Sequence, residues 1–269
     1  MPSADVLRNL SVQLARQSSL AGRWPVIVED DLAAIDPLTG GRDASFSVLR
    51  RLVQIGQLER VRRGTYVMRD ETGVLRVGLA SLIAAMTPAP YLITAGRALA
   101  AHDLSDQHFR TAVVLVASLR RPFEWRGDRV RYVIAEPDRI WGAGETSGPQ
   151  IATPERAILD SITHPRWGAT FSQTVEALDV ALGRSPRFAA SLVTAAKRYR
   201  NAATARRLGF LVEQLAGPDA AAPFKALLGS SRAATPLDPA GSRTGSYTSR
   251  WRVRVNADLD ALLAHRTTG

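Results

Sequence analysis

The sequence contains no cysteine and almost no lysine. Of the 35 basic residues in this chain of 269, 33 are arginine, and only Lys197 and Lys225 are lysine. The absence of cysteine excludes disulfide bonds, thiolate metal sites and cysteine nucleophiles. It agrees with a compartment that keeps thiols reduced, so we expect a cytoplasmic protein.

Long apolar runs are also missing. The most apolar stretch, from Val77 to Met86, is far shorter than the ~20 residues that cross a bilayer. The first helical-looking segment carries Asp5, Arg8 and Arg16 among its apolar residues, so it lacks the apolar core of a signal peptide. We therefore expect no membrane partner.

The chain has a formal net charge of +10, and its composition gives an isoelectric point near 11.0. Such an excess predicts a polyanionic partner. The charge is unevenly distributed, because acids between Glu29 and Asp36 precede an arginine-rich strip from Arg42 to Arg69. The densest basic run, Arg184 to Arg207, has seven basic residues and no acidic one, and a second basic run spans Arg250 to Arg254.

Hydrophobic spacing predicts a compact order of elements at the N-terminus. Apolar residues at helical spacing indicate a helix over Asp5 to Arg16. Trp24 to Val28 is typical of a strand, and Asp30 or Asp31 is expected to cap a short second helix that ends at Pro37 and Gly40-Gly41.

A third helix, with Asp43 or Ser45 as its expected cap, is the informative element. Its two faces differ: Phe46, Leu49, Leu52 and Val53 lie on one side, and Ser47, Arg50, Arg51 and Gln54 on the other. After Gly56, Leu58–Val61 and Thr65–Met68 are predicted to form a hairpin around Arg62-Arg63-Gly64, where Gly64 allows a tight turn.

This order of helix, strand, two helices and hairpin is that of a winged helix-turn-helix. We therefore predict an α+β protein whose residues 1–72 form a winged-helix DNA-binding domain. The third helix would read bases and the hairpin would contact phosphates. The predicted DNA-binding residues are Arg42, Ser45, Ser47, Arg50, Arg51, Gln54, Arg60, Arg62 and Arg63. The alternative is a winged helix that contacts only proteins.

Residues 73–269 are predicted to form a larger mixed α/β domain. Strands are expected at Tyr91–Thr94, Val113–Ala117 and Arg131–Ala135, with a helix opened by Thr153-Pro154-Glu155. Further helices follow Phe171, residues Ser242 to Ser249 resemble a loop, and Trp251, Val253 and Val255 alternate as in a late strand.

Catalytic motifs are scarce. His102, Asp103, Asp106 and His108 form the one cluster of candidate metal ligands, and their spacing matches no familiar metal motif. Phosphate-binding loops, dinucleotide fingerprints and nucleophile elbows are all absent. We expect no enzyme activity, metal or cofactor, with a metal-dependent enzyme as the open alternative.

Four stretches of the chain form a recognisable series. They are LRRLVQIGQLERVRRGTYV (Leu49–Val67), AGRALAAHDLSDQ (Ala95–Gln107), IATPERAILD (Ile151–Asp160) and RLGFLVE (Arg207–Glu213). In this order they resemble AbiEi-type antitoxins of abortive-infection toxin–antitoxin pairs, and they are similar to the mycobacterial members of that family. The resemblance weakens after Pro218.

The resemblance implies a DNA-binding antitoxin that represses its own operon and counteracts a nucleotidyltransferase-like toxin, directly or functionally. Its partner would be the double-stranded DNA of its own promoter, with inverted repeats. The protein would be a monomer or weak dimer that binds this DNA cooperatively. The alternative, based on the run from Arg184 to Arg207, is a protein- or RNA-binding module with little specific DNA binding.

Overall fold

The computed structural model describes residues 4–70, 72–144 and 148–264. These residues form an α+β protein, as predicted. The helices are α1 (Ala4–Leu20), α2 (Asp36–Thr39), α3 (Arg42–Gln54), α4 (Leu79–Met86), α5 (Gly96–Ala101), α6 (Pro154–Thr163), α7 (Phe171–Arg184), α8 (Phe188–Tyr199), α9 (Ala202–Ala216), α10 (Pro218–Ala221) and α11 (Leu259–Leu263). Short 3₁₀ helices span Glu29–Ala34, Pro137–Arg139 and Ala222–Leu227.

The strands are short and belong to three sheets. They are β1 (Val26–Val28), β2 (Leu58–Arg62), β3 (Thr65–Met68), β4 (Tyr91–Thr94), β5 (Thr111–Val116), β6 (Phe123–Trp125), β7 (Asp128–Ile134), β8 (Thr235–Pro236), β9 (Ser246–Thr248) and β10 (Val253–Val255). No helix among the described residues has the length and apolar character needed to span a bilayer.

The chain divides into two compact units. The first contains the described residues up to Ala89, the segment Phe123–Gly127 and the described part of Thr146–Pro149. The second contains the remainder. The first unit therefore continues past the predicted boundary at residue 72, because α4 packs against β1.

In the first unit, helices enclose a three-stranded antiparallel sheet in the order β1-β3-β2. Val26 pairs with Val67, and Leu58 pairs with Met68. The β2–β3 hairpin turns at Gly64, whose φ of +75° is in the region that glycine adopts without strain. The register shifts between Arg60 and Arg62, a β-bulge that twists the end of the hairpin.

The core of the first unit comes from one face of each helix. Leu7, Leu10 and Leu14 of α1 are buried, at spacings of three and four residues, together with Ile27, Leu32 and Ile35. The predicted second helix is instead a 3₁₀ helix followed by α2. The prediction of Asp30 or Asp31 as its N-cap was wrong, because Val28 occupies that position. Asp31 lies inside the helix, and its carboxylate accepts from the backbone N–H of Val28 at 2.9 Å.

Helix α3 begins at Arg42 and lacks the predicted side-chain cap. Gly41 occupies the N-cap position without a side-chain hydrogen bond, so the assignment of Asp43 or Ser45 as the cap was wrong. The buried residues of α3 are Ser45, Val48, Leu49 and Leu52, while Phe46 and Val53 are half-buried. The buried face is thus rotated from the predicted one, and Ser45 belongs to it.

The main sheet of the second unit places β5 in the centre, as predicted, with β4 antiparallel on one side and β7 parallel on the other. Helix α6 starts after Thr153, whose hydroxyl accepts from the N–H of Arg156, again as predicted. Ile158, Leu159 and Ile162 of α6 are fully buried in a core shared with helices α7 to α9.

A small sheet in the order β8-β10-β9 completes the second unit. Strand β9 lies inside the segment that was predicted to be a loop. The loop prediction was therefore wrong over Ser246–Thr248. The late strand begins at Val253, and Trp251 precedes it as a fully buried side chain. The Trp251 ring packs where Gly209 of α9 has no Cβ, and its Nε1 donates to Glu213 at 2.6 Å.

The densest basic run is partly structural. Arg206 donates to the carbonyl oxygens of Leu228, Ser231 and Ala233, and Arg207 donates to that of Pro236. Arg184 likewise donates to the carbonyl oxygen of His102. Burial lowers the pKa of Arg207 to about 10. These arginines hold the second unit together, whereas Lys197 and Lys225 are exposed on its surface.

Candidate nucleic-acid interface

The exposed face of α3 carries the predicted base-reading side chains. Ser47, Arg50, Arg51 and Gln54 are all exposed. Arg51 donates weakly to the Gln54 side chain at 3.3 Å, and the Ser47 hydroxyl donates to the Asp43 carbonyl oxygen at 3.0 Å. Four polar side chains on one exposed helical face are suited to reading base edges.

Helix α3 stands between two grooves of the first unit. One groove, of about 720 Å³, lies between α3 and the helices α1 and α2 and is largely apolar. The other, of about 540 Å³, lies between α3 and the β2–β3 hairpin and is lined by Arg50, Arg60 and Arg63, with Asp43 and Tyr66. Three guanidinium groups therefore face one groove that contains a single carboxylate.

The three hairpin arginines differ. Arg60 and Arg63 are exposed and form no ion pair with any described residue. Arg62 is half-buried, and its guanidinium lies 5.6 Å from the centre of the Phe123 ring. Arg60 and Arg63 are consequently the better placed of the three to contact phosphates.

Two predicted DNA-binding residues have partners within the first unit. Ser45 is fully buried, and its hydroxyl lies 2.8 Å from that of Thr39 and 3.3 Å from the Gly41 carbonyl oxygen, so its inclusion was wrong. Arg42 forms ion pairs with Asp36 at 3.2 Å and Glu29 at 3.6 Å. These carboxylates compensate the charge of Arg42 at the start of α3, and its contact with DNA stays a prediction.

Most of the acidic residues from Glu29 to Asp36, the acidic segment, form ion pairs with arginines of the same unit. Asp31 is held by Arg23 at 2.6 Å, and Glu29 and Asp36 are held by Arg42. Two guanidinium groups thus compensate part of the charge of the acidic segment, and neither Arg23 nor Arg42 lies on the exposed face of α3. Arg50, Arg60 and Arg63 keep their charges.

Sequence reasoning missed a cluster around Glu59 of β2. Its carboxylate accepts from Arg69 at 2.9 Å, from Trp125 at 3.0 Å and from Arg126 at 3.0 and 3.1 Å. The Arg126 guanidinium, with help from Trp125 and Arg69, lowers the pKa of Glu59. The cluster fastens Phe123–Gly127 to the hairpin, and no local pattern links residues so distant in sequence.

The candidate metal ligands do not converge. His102 Nε2 lies 2.8 Å from the Ala152 carbonyl oxygen, whereas His108 Nε2 lies 2.9 Å from the Asp128 carboxylate. Within residues 4–70, 72–144 and 148–264, no three His, Asp or Glu side chains are grouped to hold a metal ion. His265 lies outside the described residues.

No family model matches the chain, and no curated protein matches it in sequence. Among solved structures, it is similar to the RV2827C protein from Mycobacterium tuberculosis, with a TM-score of 0.65 and 17% sequence identity. The likeness covers 96% of this chain and 95% of that chain. It establishes a shared fold over nearly the full length of both proteins.

Proposed function

We propose that this chain binds double-stranded DNA in a sequence-specific manner through a winged helix formed by α1 to α3 and the β1-β3-β2 sheet. The observation that carries the proposal is the groove beside α3, where Arg50, Arg60 and Arg63 lie together without ionic partners among the described residues. A groove lined by unpaired cations on a helix and a hairpin matches the shape and charge of a DNA backbone.

In this arrangement α3 enters the major groove, and the hairpin follows the adjacent phosphates. Arg50 and Arg51 can donate in bidentate fashion to guanine, while Ser47 and Gln54 can contact other base edges. Arg60 and Arg63 contribute contacts that position the protein without reading sequence.

We propose further that the chain is the antitoxin and autorepressor of a toxin–antitoxin operon and counteracts a nucleotidyltransferase-like toxin. This part of the proposal rests on the resemblance to AbiEi-type antitoxins over Leu49–Val67, Ala95–Gln107, Ile151–Asp160 and Arg207–Glu213. Binding at the operon's own promoter would exclude RNA polymerase, and inverted repeats there would let two copies bind cooperatively.

The test is fluorescence anisotropy with the DNA upstream of the chain's own gene, in parallel with a scrambled duplex of equal length and composition. We expect at least about thousandfold tighter binding to the upstream DNA, the usual margin of a specific regulator. Equal affinity for the two duplexes would contradict specific recognition. Rescue of growth when the chain is co-expressed with the neighbouring gene product tests the antitoxin role.

A specific observation favours a second candidate function, a protein-binding module. The apolar groove beside α3 has exposed hydrophobic side chains at its edges, with Val6 44%, Leu38 62% and Ile55 43% exposed. Exposed apolar patches mark sites of association. Under this alternative, the upstream DNA would give no specific complex, and Leu38→Asp would abolish partner binding.

A further inference from the structure

The second unit contains a recess of about 350 Å³ that the proposed function does not use. It lies among β5, β7, α6 and the junction of α8 with α9. Its aromatic lining consists of Trp141, His164, Trp167 and Tyr199. The volume is within the range of pockets that hold small ligands.

The one carboxylate in the recess is already fully engaged. Asp160 is completely buried and accepts hydrogen bonds from Thr94 at 2.6 Å, Arg156 at 2.9 Å and Tyr199 at 2.9 Å. Burial raises the pKa of Tyr199, which keeps its hydroxyl protonated as a donor. Asp160 and Arg156 thus neutralise each other, and neither charge is free for a ligand.

Two further arginines make the recess cationic. Arg139 donates one hydrogen bond, from Nη1 to the Tyr199 carbonyl oxygen at 2.9 Å, and keeps its other donors. The Arg200 side chain is exposed and has no hydrogen-bond or ionic partner among the described residues. An anionic ligand would therefore meet two guanidinium groups that no carboxylate in the recess compensates.

The backbone at Arg200 points to the same conclusion. Arg200 ends α8 with φ 55° and ψ 45°, in the left-handed region that favours glycine. A bulky residue is less stable than glycine in this conformation, because its Cβ comes too close to the following carbonyl oxygen. Strained positions of this kind concentrate at binding sites, where the side chain has a use that offsets the strain.

The aromatic side chains that line the recess present flat ring faces. The rings of His164 and Trp167 stack with centres 3.8 Å apart and planes 16° apart. Burial lowers the pKa of His164, so its ring is neutral near pH 7. The guanidinium groups of Arg156 and Arg198 lie 4.6 and 4.5 Å from the centre of the Trp141 ring.

We propose that this recess binds a nucleotide, with the base against the wall formed by His164 and Trp167 and the phosphate on Arg139 and Arg200. A planar base and a phosphate are the two parts of a ligand that stacked aromatic rings and free guanidinium groups recognise together. The nucleotide can be free in solution or an unpaired unit of a single-stranded nucleic acid. All of these residues belong to the second unit, so the inference is independent of DNA binding by α3.

Isothermal titration calorimetry on the full chain tests the inference with AMP, CMP, GMP and UMP and with a short single-stranded oligonucleotide. Adenosine and inorganic phosphate serve as fragments. We expect a nucleotide to bind at least about tenfold more tightly than either fragment, because it uses both the wall and the arginines. Tighter binding of the oligonucleotide than of any mononucleotide would identify a single strand as the source.

The decisive variant is Arg200→Gly, since glycine removes the guanidinium and also relaxes the backbone. We expect nucleotide binding to weaken at least about tenfold while the melting temperature stays equal or rises. Arg200→Lys, which keeps the charge, should retain more affinity than Arg200→Gly. Arg187→Ala removes one charge from the other end of α8 and is expected to change nothing.

Three results would overturn the inference. The first is that no nucleotide binds at millimolar concentration. The second is that Arg200→Gly and Arg187→Ala lose equal affinity for the nucleotide. The third is that inorganic phosphate binds as tightly as the nucleotides. None of them would affect the proposal for α3.

Discussion

Six arginines of the first unit fall into two groups according to what surrounds each guanidinium. Arg23 and Arg42 are bound to carboxylates of the acidic segment, and Arg69 is bound to Glu59. Arg50, Arg60 and Arg63 have no such partner among the described residues and face one groove. Substitutions in the two groups should therefore have different effects on DNA binding.

Replacing Arg60 and Arg63 together with alanine should weaken binding to every duplex. For each phosphate that the protein no longer neutralises, the slope of log K against log salt concentration should become shallower by about 0.9. Anisotropy titrations over a range of salt concentrations measure that slope. Arg42→Ala is the matched control, because its charge is already compensated, and an unchanged slope in the double variant would refute the binding of phosphates by the hairpin.

Arg51→Ala should instead relax sequence preference. Loss of a bidentate hydrogen bond to guanine costs about 1–3 kcal/mol at the base concerned and little on unrelated DNA. The ratio of affinities for upstream and scrambled duplexes should fall, whereas Arg63→Ala should leave that ratio unchanged. If Arg51→Ala lost the same affinity for both duplexes, Arg51 would contact the DNA backbone and not a base.

Glu59 should make the first unit sensitive to acid. Its pKa is lowered in the folded state, so the stabilisation is complete above the ordinary value of 4.5 and is lost as the pH falls through the lowered pKa. Glu59→Gln should reduce the free energy of unfolding by about 1–3 kcal/mol at neutral pH, where the variant has no charged acceptor. Urea unfolding near pH 3 should show a smaller difference in the free energy of unfolding between the two proteins. A difference that did not change with pH would contradict the charge effect.

At the scale of whole elements, the close approach of α9 to Trp251 gives a sharp test of packing. A Cβ at Gly209 would overlap Trp251 Cζ3, and the Trp251 ring is fully buried. Gly209→Ala should therefore destabilise the second unit by about 1–3 kcal/mol through overpacking.

Gly183 of α7 provides the control for that substitution. A Cβ there meets nothing within 4 Å, so Gly183→Ala should stabilise the helix by about 0.5–1 kcal/mol. Thermal unfolding of both variants measures the effects. If both variants changed the melting temperature equally and in the same direction, Trp251 would move aside without loss of stability.

The elements that sequence predicted well are those specified by local chemistry. Thr153 caps α6, glycine turns the β2–β3 hairpin, and the β-branched run beginning at Val113 forms the central strand β5. In each case, neighbouring residues decide the structure. The exposed polar face of α3 also followed from spacing within thirteen residues.

The features that sequence failed to predict depend on distant partners. Ser45 is buried because Thr39 and Gly41 satisfy its hydroxyl. Arg206 and Arg207 are buried because carbonyl oxygens from residues 228–236 surround their guanidinium groups. Residue type alone places such polar side chains on the surface, since the burial of a polar group depends on partners that only the fold supplies.

At the scale of the whole molecule, the two units have separate hydrophobic cores with no residue in common. Leu49 is fully buried in the first core, and Leu211 is 2% exposed in the second. Leu49→Ala should lower the free energy of unfolding of the first unit by about 2–5 kcal/mol, and Leu211→Ala should lower that of the second unit by a similar amount.

Hydrogen exchange followed by mass spectrometry should localise each effect. Faster exchange is expected only in peptides of the unit that carries the substitution. If either variant accelerated exchange equally in both units, the two cores would unfold as one cooperative structure. The same measurement would show whether a loss of DNA binding arises from α3 itself or from general unfolding.

The two exposed lysines of the second unit have a practical consequence. Amine-directed dyes and surface-coupling reagents react with lysine, and both Lys197 and Lys225 lie outside the first unit. Immobilisation through these side chains leaves every arginine of α3 and the hairpin chemically intact. Because the chain has no cysteine, a single introduced thiol would be its only thiol, so one reporter fluorophore can be placed beside α3 on the same tethered molecule.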